Sequence, residues 1–465
     1  MQVFSAHTRS SGVGLGTAPG SIFSQAALVV VGAIALSFAA NPQMLSRIFL
    51  VNQDLPVMCL CAGLMLLAHR WQCEEGQLEG MRRHLGPRAL SAAALAFIVF
   101  GVIGHFAVMH GYALSRDEQM ALFDAHIFAD GRLLGDIPAP WQPYVEALGR
   151  LFILVSSDQS SWVSGYLPGN ALLHAMLVNY GAAVLVNPVL AAMGMVATWF
   201  VARKIWPDDK EPAAVAALLY LTSIQVWAAS MTAYAMTAHL ALNMIWLALF
   251  LRNDWPGHTG AIVIGFVATG LHQLVFHPLF ALPFILLLAA RRQWWPFLVY
   301  GIAYLAIGLF WAMFTKFTIY AQAGEAVHEL GGVFRYVERV LRLLDAFSIT
   351  AIPMMAANAV RFLAWQNLLL LPLLIAAFVV VRRSKDLLFC AMFGALIMTP
   401  AAMLILTAYQ GHGWGYRYMH GLLGVACILA AAGWNWLRTQ NRAPEKALIV
   451  ATLATVCLSG PYLLW

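Results

Sequence analysis

The acidic residues in the stretch Tyr112 to Gly131, YALSRDEQMALFDAHIFADG, are the first side chains placed to do chemistry. Asp117 and Glu118 are adjacent and follow directly on a long apolar run, with Asp124 two helical turns further along. A carboxylate fixed at such a point suits a general base that takes the proton from a hydroxyl nucleophile. The Asp117–Glu118 pair also leaves room for a divalent metal. The two-turn spacing predicts that Asp117 and Asp124 point the same way from a helix. The local sequence supplies the means of holding them. Ser115-x-x-Glu118 is a capping box that opens a helix at Arg116, Met120, Phe123 and Ile127 form its apolar stripe, and Gly131 ends it. The box gives Glu118 a structural task, reaching back to the Ser115 N–H. Asp117 lies in the first turn, where the helix dipole favours an anion in any case.

Cations and aromatics occur elsewhere on the same predicted side. YQGHGWGYRYMHG, Tyr409 to Gly421, joins two late apolar runs. Its glycines let backbone approach a ligand closely, and the aromatic rings of Tyr416 and Tyr418 suit a membrane interface or a sugar face. Arg417 there is costly at a membrane boundary unless paired, and its guanidinium offers a forked contact to phosphate; its plainer role is that of an interfacial Arg at the start of a span. Lys316, at the outer end of another run, is a second phosphate candidate. His239, His272, His277 and His412 fall in the outer half of the predicted topology, each placed to hold phosphate oxygens or a divalent ion or simply to pack. No histidine spacing is diagnostic of zinc. GGVFRYVERVLRLLDAF sets Arg335, Arg339 and Arg342 on one helical face, as a surface helix beside anionic headgroups does, or as part of a lipid-phosphate or acceptor site would.

The elements that must position these residues follow from composition. Of 465 residues, 61% are hydrophobic and only 10% charged, with mean hydropathy +0.74; a soluble domain carries about 25% charged residues. The chain reads as an all-α polytopic membrane protein of about thirteen apolar runs long enough to span a bilayer. They lie near 22–40, 54–69, 89–111, 183–203, 212–230, 236–251, 259–276, 278–290, 296–316, 361–381, 387–408, 416–437 and 447–464. The runs at 259–276 and 278–290 are short and Pro-interrupted, which predicts a broken or re-entrant pair. Residues 1–20 read as a cytosolic tail and not a cleaved signal. With that end inside, most of the 27 Lys and Arg fall in short cytosolic links, among them Arg203, Lys204, Lys210, Arg252, Arg291, Arg292, Arg382, Arg383 and Arg438, as the positive-inside rule expects. The net charge of +6 thus reflects topology and not nucleic-acid binding. The six cysteines avoid the outer loops and read as buried small residues rather than a disulfide framework.

The longest segments outside the runs, 112–182 and 317–360, lie on the outer side, so the chemistry is expected there. The chain divides into an N-terminal tail with two extra spans (1–88), a core with its outer loop (89–316), a second outer loop (317–360) and C-terminal spans with a short outer loop at 409–416 (361–465). Within the first loop, PWQPYVEALGRLFILV predicts an amphipathic helix at headgroup level, with Trp141 and Tyr144 as interfacial anchors. No cytosolic link is large enough for a nucleotide-binding domain, and no Gly-x-Gly-x-x-Gly or Walker loop is present. Nucleotide-activated donors and ATP-driven pumping are therefore disfavoured.

Several stretches together resemble the C-type membrane glycosyltransferases, in the branch of protein O-mannosyltransferases and the aminoarabinose transferase of lipid A. SRDEQMALFDAHIFADGRLL is similar to that family's Asp-Glu motif in the first outer loop. YLPGNALLHAML followed by VNPVLAAMGMVATWFVARKIW is similar to its Pro-Gly segment and next span, and GYRYMHG to its late Arg-Tyr motif. The likeness covers residues 89–310 and 361–440. It implies a GT-C-like helical bundle in a bacterial inner membrane with a periplasmic active site. It also implies a polyprenyl-phosphate-linked sugar as donor, a glycolipid, polysaccharide or protein as acceptor, and inversion at the anomeric carbon. Asp117 would then be the base and Arg417 the partner of the departing phosphate, with no cofactor required beyond the divalent metal for which the carboxylates leave room. His239 stands where many members carry an acidic residue, and His272 and His277 where an Arg-Pro pair is expected. A transporter or flippase of lipid-linked sugars is the alternative. It calls for ionisable residues at mid-membrane and for repeats, whereas here the polar residues collect at one face.

Overall fold

A computed structural model of the chain describes residues 19–69, 86–147, 152–314, 348–406 and 409–464. Lys316 and the basic stretch with Arg335, Arg339 and Arg342 lie outside the described residues. Each apolar run carries a helix. In chain order the helices are α1 (Pro19–Ser37), α2 (Leu55–His69), α3 (Pro87–Ala107), α4 (Arg116–Ala129), α5 (Gly169–Val178), α6 (Val186–Ile205), α7 (Glu211–Leu221), α8 (Ile224–Ser230) and α9 (Met236–Phe250). They continue with α10 (Trp255–Thr269), α11 (Phe276–Ala290), α12 (Trp294–Phe314), α13 (Ala351–Ala364), α14 (Leu370–Ser384), α15 (Leu387–Leu406), α16 (Leu423–Thr439) and α17 (Glu445–Ala454). Among the described residues, seven helical stretches are long and apolar enough to cross a membrane, or eight if the bent pair α7–α8 is one span. The rest of the thirteen expected spans are shorter or interrupted helices.

The protein is membrane-embedded, and its surface shows why. Along α12, Ile302 is 70% exposed and Leu305 65%. In water such a continuous apolar face would drive aggregation; hydrocarbon is its natural solvent. Of the cysteines, Cys61 and Cys427 are buried as expected, whereas Cys59, Cys390 and Cys457 lie on the outer surface of the bundle.

Two breaks differ from expectation. The sharp bend of 58° lies between α7 and α8, where Ser223 stops one helix and caps the next, its hydroxyl accepting from Val226 N at 3.2 Å. Helices α10 and α11, the pair expected to be broken or re-entrant, are two short 15-residue helices, with Pro283 inside α11. Residues 361–381 are not one span either: α13 ends at Ala364 and α14 begins at Leu370.

The segment expected as an amphipathic helix at 140–155 is a short 3-10 turn, Ala139–Ala147, followed by a strand. Pro138, Pro140 and Pro143 remove the N–H donors a helix needs there, and the β-branched run after Phe152 favours extended backbone. Trp141 and Tyr144 remain exposed, as interfacial anchors should be. Strands β1 (Gly135–Asp136), β2 (Ile153–Val155) and β3 (Ser161–Ser164) form a small antiparallel sheet in the order β1–β3–β2, with Leu154 opposite Val163.

Ion pairs also tie the helices together. At one end of α16 Arg438 pairs with Asp209 and Glu211, and Glu211 also accepts from Trp434 Nε1 at 2.9 Å. These belong to links or link-flanking turns that the charge bias assigns to a single side. The cavity lies beside the other end of α16, lined there by Arg417, Gly421 and Leu422.

Small residues set the helix spacing between. Gly433 on α16 packs against α14 so closely that a Cβ would lie 2.1 Å from Leu373 O and 2.8 Å from Ala377 N, the close-packed mode that small residues permit between membrane helices. Gly433→Ala is expected to push α16 off α14 and lower stability by about 1–3 kcal/mol, read as a reduced thermal midpoint of the protein in detergent; an unchanged midpoint would show that the contact is looser than described.

Candidate active site

The site begins at the capped start of α4. Ser115 Oγ accepts from Glu118 N at 3.4 Å, and Glu118 Oε2 accepts from Ser115 N at 3.1 Å, so the expected capping box is formed. The second carboxylate oxygen of Glu118 accepts from Ala233 N at 3.3 Å. Glu118 is 2% exposed, and burial pushes its carboxyl up against the opposing effect of these donors. It is a brace between α4 and the α8–α9 link, not a group facing a substrate. Its candidacy as a catalytic residue is corrected accordingly.

Asp124 is corrected in the same way. It is buried, with Oδ1 accepting from Ser164 N at 2.9 Å and Oδ2 from Ser164 Oγ at 2.5 Å. It tethers α4 to β3 and does not line the cavity. Burial raises its carboxyl to about 6 although both Ser164 donors oppose the shift.

Asp117 is placed differently. Tyr166 Oη donates to its Oδ1 at 2.5 Å, and the Arg417 guanidinium pairs with its Oδ2, both charged side chains being 16% exposed. Burial alone would raise the Asp117 carboxyl. The Arg417 charge, the nearby His272 and the Tyr166 hydroxyl outweigh it and hold Asp117 below the usual carboxylate range. Burial and the Asp117 charge push the Tyr166 phenol up, so it remains a donor. Tyr166 in turn stacks on His272, with centroids 4.2 Å apart. That stack is fixed by backbone. The residues leading into α5 hydrogen bond onto the α10–α11 link, Leu167 N to His272 O at 3.4 Å and Gly169 N to Gly270 O at 2.8 Å.

Arg417 leaves a loop clamped from several directions. Its own N–H donates to Gln410 Oε1, and Gln410 Nε2 donates to Gly415 O, both at 3.0 Å. Gly415 has φ +64°, and a Cβ there would lie 2.4 Å from Gln225 Oε1; only glycine fits both demands. The Arg417 guanidinium also lies 5.2 Å from the Tyr418 ring centroid.

These groups open on a cavity of about 310 Å³. Of the predicted residues, Asp117, Arg417, His239, His272, His412 and Tyr418 line it. His277 and Tyr416 do not. His277 is buried, bonded through Nδ1 to Asn243 Oδ1 and through Nε2 to Tyr304 Oη, each at 2.7 Å, so it orients Asn243, which does line the cavity. Tyr416 is buried with its ring edge against Tyr418. Among the further lining residues that escaped sequence reasoning are Tyr166, Asn243, Gln273, Thr399 and Gln410. Tyr166 stands 49 positions from Asp117, and no spacing rule joins residues that far apart. On the cavity wall, His239 and Thr399 are buried and their side-chain polar atoms make no hydrogen bond among the described residues. Phe276 and Tyr418 supply apolar walls, with centroids 5.5 Å apart.

The donor set does not fit a carboxylate-held divalent ion. Both Glu118 oxygens are engaged by backbone N–H groups, Asp117 faces a guanidinium, and among the described residues no three His, Cys, Asp or Glu side chains gather as metal ligands. No protein-family model matches the chain, and no curated protein matches it.

The Asp124 anchor has a pH signature. Its raised carboxyl is protonated below about 6 and ionised above, so the Ser164 donors matter most on the alkaline side. Ser164→Ala is expected to cost about 1.5–3 kcal/mol above pH 7 and less at pH 5, where the carboxyl carries its own proton. Thermal midpoints at pH 8 and pH 5 check this; equal losses at both would place the Asp124 ionisation elsewhere.

Proposed function

We propose that the protein is an inverting glycosyltransferase of GT-C-like architecture, moving a sugar from a polyprenyl-phosphate donor to an acceptor hydroxyl at the outer, periplasmic face of a bacterial inner membrane. The observation that carries this reading is the Asp117–Arg417 pair at a cavity among membrane helices: a base and an anion binder already in contact. A lipid phosphate entering the cavity would take the Arg417 guanidinium, which binds phosphate in the same forked manner as carboxylate. Asp117 then loses the charge that depresses its carboxyl, gains an anionic neighbour, and becomes a better proton acceptor.

The transfer is one displacement. The acceptor hydroxyl oxygen attacks the anomeric carbon, its proton passes to Asp117, and the bond from that carbon to the phosphate oxygen breaks. The electron pair leaves on the polyprenyl phosphate, where Arg417 stabilises the developing charge. Tyr166 holds Asp117 in place without competing for the proton, since its own phenol is pushed further from ionisation. The cavity suits a sugar ring: His239 and Thr399 offer unused polar atoms, and Phe276 and Tyr418 offer faces for C–H bonds. The lipid chain would lie along the apolar exterior. The absence of nucleotide-binding motifs in the sequence fits a lipid-borne donor. The acceptor is a glycolipid, polysaccharide or protein hydroxyl of the cell envelope.

Asp117→Asn, which keeps shape and loses basicity, is expected to lower transfer about 100-fold or more while polyprenyl phosphate still binds; transfer at near wild-type rate in a folded variant would remove the base. The pH profiles carry a second test. Because Arg417 depresses Asp117 in the free protein, the acid limb of kcat/KM lies below the ordinary carboxylate range, whereas the limb of kcat, reporting the phosphate-bound complex, lies at higher pH. Coincident limbs would show that the phosphate does not displace Asp117 from Arg417.

A further inference from the structure

The two N-terminal helices have no part in the chemistry just described, yet they make one contact that reaches the site. Between the short helix Leu45–Phe49 and α2 the chain forms a π-helical turn, Leu50–Asp54, a local irregularity often found where a side chain must be aimed. The turn delivers Asp54 into the bundle, where it meets Arg361 of α13. Arg361 Nη1 lies 3.4 Å from Asp54 Oδ2, and the two side chains are 2% and 0% exposed. A charge pair is expensive to bury in a membrane bundle, and neither partner could be left there alone.

The remaining donors of Arg361 explain its presence. Nε donates to Gly415 O at 3.0 Å and Nη2 to Gly413 O at 2.6 Å. Phe49 lies under the guanidinium, 4.3 Å from ring centroid to Cζ, and its ring edge also meets His412 at 5.9 Å. Trp365 Nε1 donates to the other Asp54 oxygen at 3.2 Å. One guanidinium thus spans Asp54 and two carbonyls of the loop that leads into Arg417 and forms the cavity wall at Gln410, Gly411 and His412.

We infer that Asp54 and Arg361 are positioning residues: through Gly413 and Gly415 they fix the loop that presents Arg417, and the N-terminal helices serve as the splint that carries Asp54. The planar fork is essential to this role, because a lysine ammonium at the same place cannot reach both carbonyls and the carboxylate together. The loop's order does not depend on what the cavity binds. Only the binding arm of the test rests on the transferase reading.

The test uses the full-length chain in detergent, with hydrogen exchange across residues 409–418 and binding of a polyprenyl phosphate as its two readouts. Asp54→Asn and Arg361→Lys are expected to speed exchange in this loop ~10-fold or more while α4 stays protected, and to weaken polyprenyl-phosphate binding ~10-fold. The milder Phe49→Leu should move both readouts in the same direction, and it serves if the buried-charge variants do not fold. Asp209→Asn, which breaks an ion pair at the other end of α16, should move neither. Unchanged loop exchange in folded Arg361→Lys and Phe49→Leu, or loosening spread evenly over the whole chain, would overturn the positioning role. Failure of the wild-type protein to bind polyprenyl phosphate would instead sink the transferase reading, with loop exchange still deciding this one.

Discussion

One ion pair organises the site. Asp117 and Arg417 stand 300 positions apart in the chain, and each is largely withdrawn from water. Either charge would be costly in that setting without a partner. The helical bundle must therefore bring the start of α4 and the entry to α16 to the same point, and hold them there against the tendency of both loops to move. The pair also sets the chemistry of the carboxylate, which is kept ionised by a guanidinium that has a second use wherever an anion enters the cavity.

Holding that point is shared among residues that are not themselves reactive. Glu118 grips the α8–α9 link through Ala233 N, Asn170 donates to the Ala233 carbonyl at 3.0 Å, and Asn187 donates to the Thr232 and Tyr234 carbonyls at 2.6 and 2.9 Å. Three polar side chains thus account for the backbone groups of one link that has no secondary structure to satisfy them. On the other side, Gln225 Nε2 donates to Tyr416 O at 3.0 Å and its Oε1 accepts from Gln366 Nε2 at 2.9 Å. Buried amides and a buried ion pair therefore flank Arg417, a connected network of the kind that rigidifies.

The parts of this arrangement that were legible in the sequence are the local ones. Helix α4, its capping box and its apolar stripe follow from spacing alone, and so do the apolar runs. Asp117 and Arg417 were each identifiable as ionisable residues at the end of an apolar run, where charge is costly without a purpose. Asp54 and Arg361 carry the same signal, each an ionisable residue at the end of an apolar run, although nothing in the sequence pairs them. Tyr166, Thr399 and Asn243 carry no comparable signal, because a hydroxyl or amide near an apolar run is unremarkable until the fold turns it inward. Asp124 misled for a related reason. Helical spacing fixes direction from the axis but says nothing of what lies opposite, and β3 lay opposite. The sheet is masked in the sequence by a run of amphipathic pattern, whose prolines outweigh its periodicity.

Glu118 has a mechanical implication. Because the residue that caps α4 also holds the backbone between two membrane helices, the extramembrane layer has no hinge of its own at that point. A tilt of α8 or α9 bears on the neighbouring Asp117 through that hydrogen bond. Membrane helices adjust their tilt to the hydrocarbon thickness around them, and Glu118 is the side chain through which such an adjustment would reach the acid.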